Sequence, residues 1–206
     1  VLAFTYASGV SRYDARKSAV TLEANALGTA FHRADLVAEP GRTELKAILL
    51  GYARSRVFEL GTIRSEEDRK QVLKSTLEEL AKIWPATKRV VDQGKAGPIE
   101  ASLVAAINDV LDAHTIRLAA AIDKLPRVIM WMLVFISSAS LAVAGYNAGI
   151  QGRMSRWRMS AFVLVLTFLI TVVLDFDRPN DGFVTVSNLS IHSVIKDMET
   201  DLMLSN

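Results

Sequence analysis

Residues 128–152 read VIMWMLVFISSASLAVAGYNAGIQG, 25 consecutive positions without a charge, bounded by Arg127 and Arg153. As a helix this run is about 37 Å long. That exceeds the roughly 30 Å hydrocarbon core of a bilayer, so it spans with tilt or with its Gly145-to-Gly149 end among the headgroups. A second run follows closely: residues 159–174, MSAFVLVLTFLITVVL, are 16 uncharged positions between Arg158 and Asp175. At about 24 Å it crosses by snorkelling of Arg156 and Arg158, or by extension through Asp175 and Phe176. Trp131, Tyr146, Trp157 and Phe176 stand near the four ends, where amphipathic rings favour the headgroup zone. Two adjacent charge-free runs of this length are uncommon in a soluble bundle. The fold class expected is therefore all-α integral membrane, with spans at about 128–149 and 159–175.

Residues 150–158 link the runs and carry Arg153, Arg156 and Arg158. So short a link makes residues 126–176 a transmembrane hairpin and places the chain on either side of it in one compartment. The charge map agrees. Residues 1–125 hold 18 basic and 16 acidic groups, residues 126–158 four Arg and no acid, and residues 159–206 two basic and six acidic. Half the chain is apolar, which excludes a disordered tail. The absence of Cys excludes disulfides, thiolate metal sites and a thiol nucleophile.

Upstream, residues 1–10 are an apolar opening that reads as the end of a transmembrane helix beginning before Val1, a processed terminus being the alternative. Residues 11–125 read as an extramembrane helical domain. Ala15, Ala19, Leu22, Ala26, Ala30 and Ala34 recur at helical spacing as far as Glu39-Pro40-Gly41, and Leu45 to Leu60 predict a second helix ending near Gly61. Ser65 with Glu66, Glu67 and Asp68 is an N-terminal cap with acids in the first turn, opening a third helix expected to run to Trp84-Pro85. Pro98 suits a helix start, and Leu103, Ile107, Val110, Leu111, His114, Leu118, Ile122 and Leu125 carry a fourth helix that runs into Pro126. After the hairpin, residues 177–206 predict a turn, one short strand at Phe183 to Ser187, and an amphipathic helix through Ile191, Val194, Ile195, Met198 and Leu202.

Several of these residues together resemble a known pattern. Glu23 to Ala30 in the first long helix, Tyr52-Ala53-Arg54 in the next and the Trp84-Pro85 pair come first. Arg117-Leu118 leading to Leu125-Pro126 and Trp131, the basic hairpin, and Asp177-Arg178-Pro179 with Gly182 and Val186-Ser187 follow in order. The chain resembles a family of bacterial membrane proteins described as bestrophin-like, whose function is not established. The resemblance implies further spans before Val1 and raises the expectation of a pore, by analogy of fold alone.

The first span carries Ser137, Ser140, Ala144 and Asn147 on one stripe, beside Ser138, Ala142, Gly145 and Gly149 on its neighbour. Such a small, weakly polar face serves close helix packing, the favoured reading, or lines a path in an oligomer. Thr167 and Thr171 lead at spacings of four to Asp175, though threonine hydroxyls also bond their own preceding turn. No ionisable group lies inside either run, so a proton relay has no machinery there. Asp175, Asp177, Arg178 and Asp181 form an interfacial motif, read as a turn in which Arg178 pairs with an Asp rather than as an ion-entry site, since the EF-hand spacing is absent. His32, His114 and His192 stand singly, with His114 on the apolar stripe as a core histidine. No phosphate loop, nucleophile elbow or nucleic-acid module is present. The expectation is a protein that is no enzyme, needs no cofactor or metal, and has as partners the lipid bilayer, copies of itself and small ions. An oligomeric channel is set against a membrane-anchored sensing or scaffolding module, and Arg12, Arg16 and Lys17 against the membrane read as headgroup anchors.

Overall fold

The computed structural model describes residues 2–57, 65–94, 97–123, 125–150, 156–176 and 186–204. In order these form α1 (Leu2–Ala34), α2 (Gly41–Ser55), α3 (Glu66–Gln93), α4 (Pro98–Ile122), α5 (Arg127–Ile150), α6 (Arg156–Phe176) and α7 (Leu189–Leu204). Among the described residues there is no strand. Of the strand expected at Phe183 to Ser187, the first three residues lie outside the described ones, and Val186 and Ser187 belong to no regular element.

Contacts divide the chain into two units: Val1–Arg16 with Ala120–Val186, and Lys17–Ala119 with Ser187–Asn206. The second unit is a helical bundle. α3 starts where its cap predicts: the Ser65 hydroxyl accepts from the Asp68 amide at 3.0 Å while Asp68 Oδ2 accepts from the Ser65 amide at 2.8 Å, a reciprocal box that satisfies two orphan donors. The helix does not stop at Pro85 as expected but continues eight residues to Gln93. Trp84 and Pro85 lie on its solvent face, so the carbonyl that Pro85 leaves without a donor can be hydrated, while Ile83, Ala86, Thr87 and Val90 hold the opposite face in the core. α2 packs on α3 and α7. At the start of α2 the backbone comes so close to α3 that a Cβ on Gly41 would stand 2.7 Å from Val90 Cγ2. The α2 helix ends at Ser55, before the predicted Gly61, a residue outside the described ones.

In the first long helix Ala19, Ala26, Ala30 and Ala34 are buried as their spacing predicts, whereas Ala15 and Leu22 are exposed and Val20, Glu23, Leu27 and Phe31 widen the buried stripe. In α4, Leu103, Ile107, Val110 and His114 are buried as their spacing predicts, and in α7 Ile191 and Met198 are.

In the first unit α5 packs on α6 through Leu125, Leu133 and Val173, with Ile129 and Ile170 against them. Both helices are long and apolar enough to cross a membrane: their most apolar 18-residue windows have a mean hydropathy of 2.1, and only 11% and 6% of those windows are buried. The charged residues of α1 in this unit are not the headgroup anchors expected. Arg16, 6% exposed, donates to the carbonyls of Ala120 at 3.1 Å and Asp123 at 2.8 Å, and Arg12 pairs with Asp123 at 3.0 Å. Arg16 satisfies carbonyls left over at the C-terminal end of α4, where a cation is favoured by the helix dipole.

Candidate functional site

Two groups of polar residues lie inside helices, one in each unit. In the hairpin, Ser137 is buried, whereas Ser140, Asn147, Thr167 and Thr171 are exposed. The Thr171 hydroxyl donates to the Thr167 carbonyl at 2.9 Å, so its proton is engaged within its own helix. A Cβ on Gly145 would meet Met159 of α6 at 3.8 Å, in ordinary contact, while Gly149 faces open space. Asp175 is half-buried and has a partner. Asp177, Arg178 and Asp181, the rest of the interfacial motif, lie outside the described residues.

The second group is ionic and is built from three helices of the bundle. Glu23 of α1, with no exposed surface, projects from the buried stripe one turn after Ala19 and Val20. Its Oε1 lies 2.9 Å from Nε of Arg56, which follows α2, and its Oε2 accepts from Nη1 of Arg117 of α4 at 2.6 Å. The Arg56 N–H is not directed along that short contact and finds no hydrogen-bond acceptor, so this pair is held by charge. The Tyr52 hydroxyl also donates to Glu23 Oε1, and the Tyr52 oxygen itself lies 3.0 Å from Nδ1 of His114. Arg117 reaches further, to the Asn188 side-chain oxygen at 3.1 Å.

Hydrogen-bond bookkeeping assigns the protons. The Glu23 carboxylate, facing two guanidinium groups, only accepts, so the single Tyr52 proton goes to it. The Tyr52 oxygen then accepts, which requires His114 to carry its proton on Nδ1. Burial, then the charge of Glu23, pushes the Tyr52 hydroxyl far up, keeping it protonated. Burial, then the positive charge of Arg56, lowers His114 and favours its neutral form. Arg117 is lowered for the same two reasons, burial first. With His114 neutral, two guanidinium groups face one carboxylate. Such an assembly ties α1 to α4 and to the end of α2 through Glu23, whose removal would leave two largely buried guanidinium groups without an anion.

A smaller cluster holds α7. Lys46 of α2, 3% exposed, donates to Asp35 and to Asp201, with its ammonium 4.4 Å from the centre of the Phe31 ring. Burial opposes the charge on Lys46, but its hydrogen bonds to the two carboxylates outweigh that and raise it. Arg54 pairs with Glu199 of α7 at 2.6 Å.

The ionic cluster joins residues that sequence reasoning had valued for other reasons. Glu23, Tyr52 and Arg117 carry the family resemblance, and His114 is buried as a core histidine but is also hydrogen-bonded. Arg56 was not singled out. A usable signal existed: Tyr52 and Arg56 at i and i+4, His114 and Arg117 at i and i+3, each share one helix face with the apolar stripe.

A family model described as Bestrophin-like domain matches residues 1–191. Comparison with the curated proteins and with the solved structures finds no match.

Proposed function

We propose that this chain, which belongs to the bestrophin-like family, is a multi-pass protein of the bacterial inner membrane whose copies assemble around an ion-conducting path. One observation carries the reading: few residues of α5 and α6 are buried, 11% and 6% of their apolar windows. Two helices cannot enclose a path, whereas several copies of a hairpin can. The small residues of α5 favour close approach between helices in lipid, and Ser140 and Asn147, with Thr167 and Thr171 of α6, are exposed polar groups available to face a conducted ion, while Ser137 is buried. No catalytic role is assigned to the buried cluster, and no partner besides lipid, further copies and small ions is invoked.

The test is ion flux into liposomes holding the purified protein, with protein-free vesicles and the Ser140→Leu variant as controls. Flux that is lost in a Ser140→Leu protein of unchanged oligomeric state supports the reading. Absence of flux across voltage and pH overturns it, in favour of the second reading, a membrane-anchored sensing or scaffolding module. What favours that second reading is the bundle's buried ionic cluster, polar machinery that lies in the unit apart from the hairpin.

A further inference from the structure

At the open end of the hairpin, the first two turns of α5 and the last of α6 enclose a groove of about 290 Å³, the volume of roughly ten water molecules. Met130, Val134, Ile170 and Leu174 give it an almost wholly carbon wall, so water gains no partners inside and hydrocarbon fills it better. Its one charged lining residue is Arg127, at the start of α5, and the Trp131 ring beside it is 74% exposed. Arg127 has no hydrogen-bond or ion-pair partner among the described residues. Asp123, the nearest acid in sequence, is paired with Arg12, and Asp175 near the end of α6 has a partner of its own. A free guanidinium beside an indole, at the end of an apolar groove in a membrane-crossing helix, matches one class of molecule in both charge and polarity. Guanidinium binds phosphate through paired N–H groups, the indole settles at headgroup depth, and the groove takes hydrocarbon.

We propose that this groove is a binding site for an anionic phospholipid, with the lipid phosphate on Arg127 and part of one acyl chain between Met130, Val134, Ile170 and Leu174. The site depends on the membrane location of α5 and α6 and is independent of whether the protein conducts ions. It would tie the hairpin to membranes rich in acidic lipid and fill a space that two helices leave empty.

The experiment uses the full chain purified in neutral detergent, titrated with phosphatidylglycerol, phosphatidylcholine or inorganic phosphate, and read by native mass spectrometry and thermal unfolding. Phosphatidylglycerol should form retained adducts and raise the unfolding temperature, with phosphatidylcholine at least about fivefold weaker and inorganic phosphate without effect. Arg127→Gln should remove the preference between the two lipids. Val134→Trp, which fills the groove and leaves Arg127 in place, should weaken both. Equal binding of the two lipids by the wild-type protein overturns the proposal, as does unchanged phosphatidylglycerol binding in both variants. Efficient disulfide cross-linking between copies through Val134→Cys, unaffected by added lipid, would assign the groove to a second copy instead and equally overturn it.

Discussion

Glu23 and Leu133 are both buried at the middle of a contact between helices, but they belong to regions built under opposite rules. In the bundle the interior admits charge: Glu23, Lys46, Arg56 and His114 are all buried, each beside a partner of opposite charge or a hydrogen-bonding group. In the hairpin the buried residues are Leu133, Ser137 and Val173, while Phe135, Trp131 and Leu164 lie open at 75%, 74% and 69%. A bundle in water gains from hiding apolar surface, so its inner positions fill, and a charge enters only as part of a satisfied network. A hairpin in lipid gains nothing from hiding apolar side chains, because the solvent is as apolar as they are. Many of its large residues turn outward, and only a narrow seam through Leu133, Ser137 and Val173 is buried among the described residues. The difference teaches that the same measure, exposure of a hydrophobic residue, reports instability in one region and solvent identity in the other.

Three experiments put that contrast at risk. The largest effect is expected from Glu23→Gln, which keeps the shape but leaves Arg56 and Arg117 facing each other without an anion. Loss of one member of a buried pair costs roughly 3–5 kcal/mol, to be read from equilibrium unfolding of the detergent-solubilised chain by far-ultraviolet circular dichroism. A change below about 1 kcal/mol would mean that the cluster behaves like a surface pair and that the bundle interior is not dry.

Next comes a matched pair of truncations. Leu49→Ala in the bundle forfeits both transfer from water and packing, roughly 2–5 kcal/mol. Leu133→Ala in the hairpin forfeits packing alone, since lipid tails solvate what the partner helix no longer touches, and less than half the loss at Leu49 is expected. Equal losses in reconstituted protein would show that α5 and α6 meet in an aqueous setting.

The smallest effect is one of pH. His114 is held neutral in the folded bundle, so below its ordinary value of about 6.5 the unfolded chain takes up a proton that the folded chain refuses. The stability that this neutral imidazole contributes is therefore complete above about 6.5 and is lost as pH falls from there toward its lowered folded value. Wild type should lose more stability than His114→Gln between pH 7.5 and 5.5, measured by unfolding at each pH. Parallel profiles would place the titration elsewhere. The exposed His32 and His192 are common to both proteins and drop out of the difference.

Much of the architecture was legible because it depends on local quantities. A span is a count of uncharged residues against a fixed thickness, and α5 and α6 fall where the counts put them. The start of α3 is set by Ser65 and Asp68, three residues apart. Legibility ended where partners come from afar. Reading Pro85 as a stop assumed that its freed carbonyl had no alternative donor, which is a matter of which face meets water. In α1 the spacing placed Leu22 with the alanines of the inner stripe, but Leu22 is exposed and Glu23 is buried. Glu23 lies inside because Tyr52 and Arg117, 29 and 94 positions away, meet it in the bundle.

The sequence by itself therefore determined that the chain is helical, where its hairpin lies and which residues mark its family, because charge-free length, capping and the 3.6-residue period are written within a few turns. Only the tertiary structure decided which faces of those helices turn inward and that Glu23, Tyr52, Arg56, His114 and Arg117 form one buried network. Burying a charge is unfavourable for any single residue, and becomes tolerable only when groups distant in the chain arrive together to compensate it.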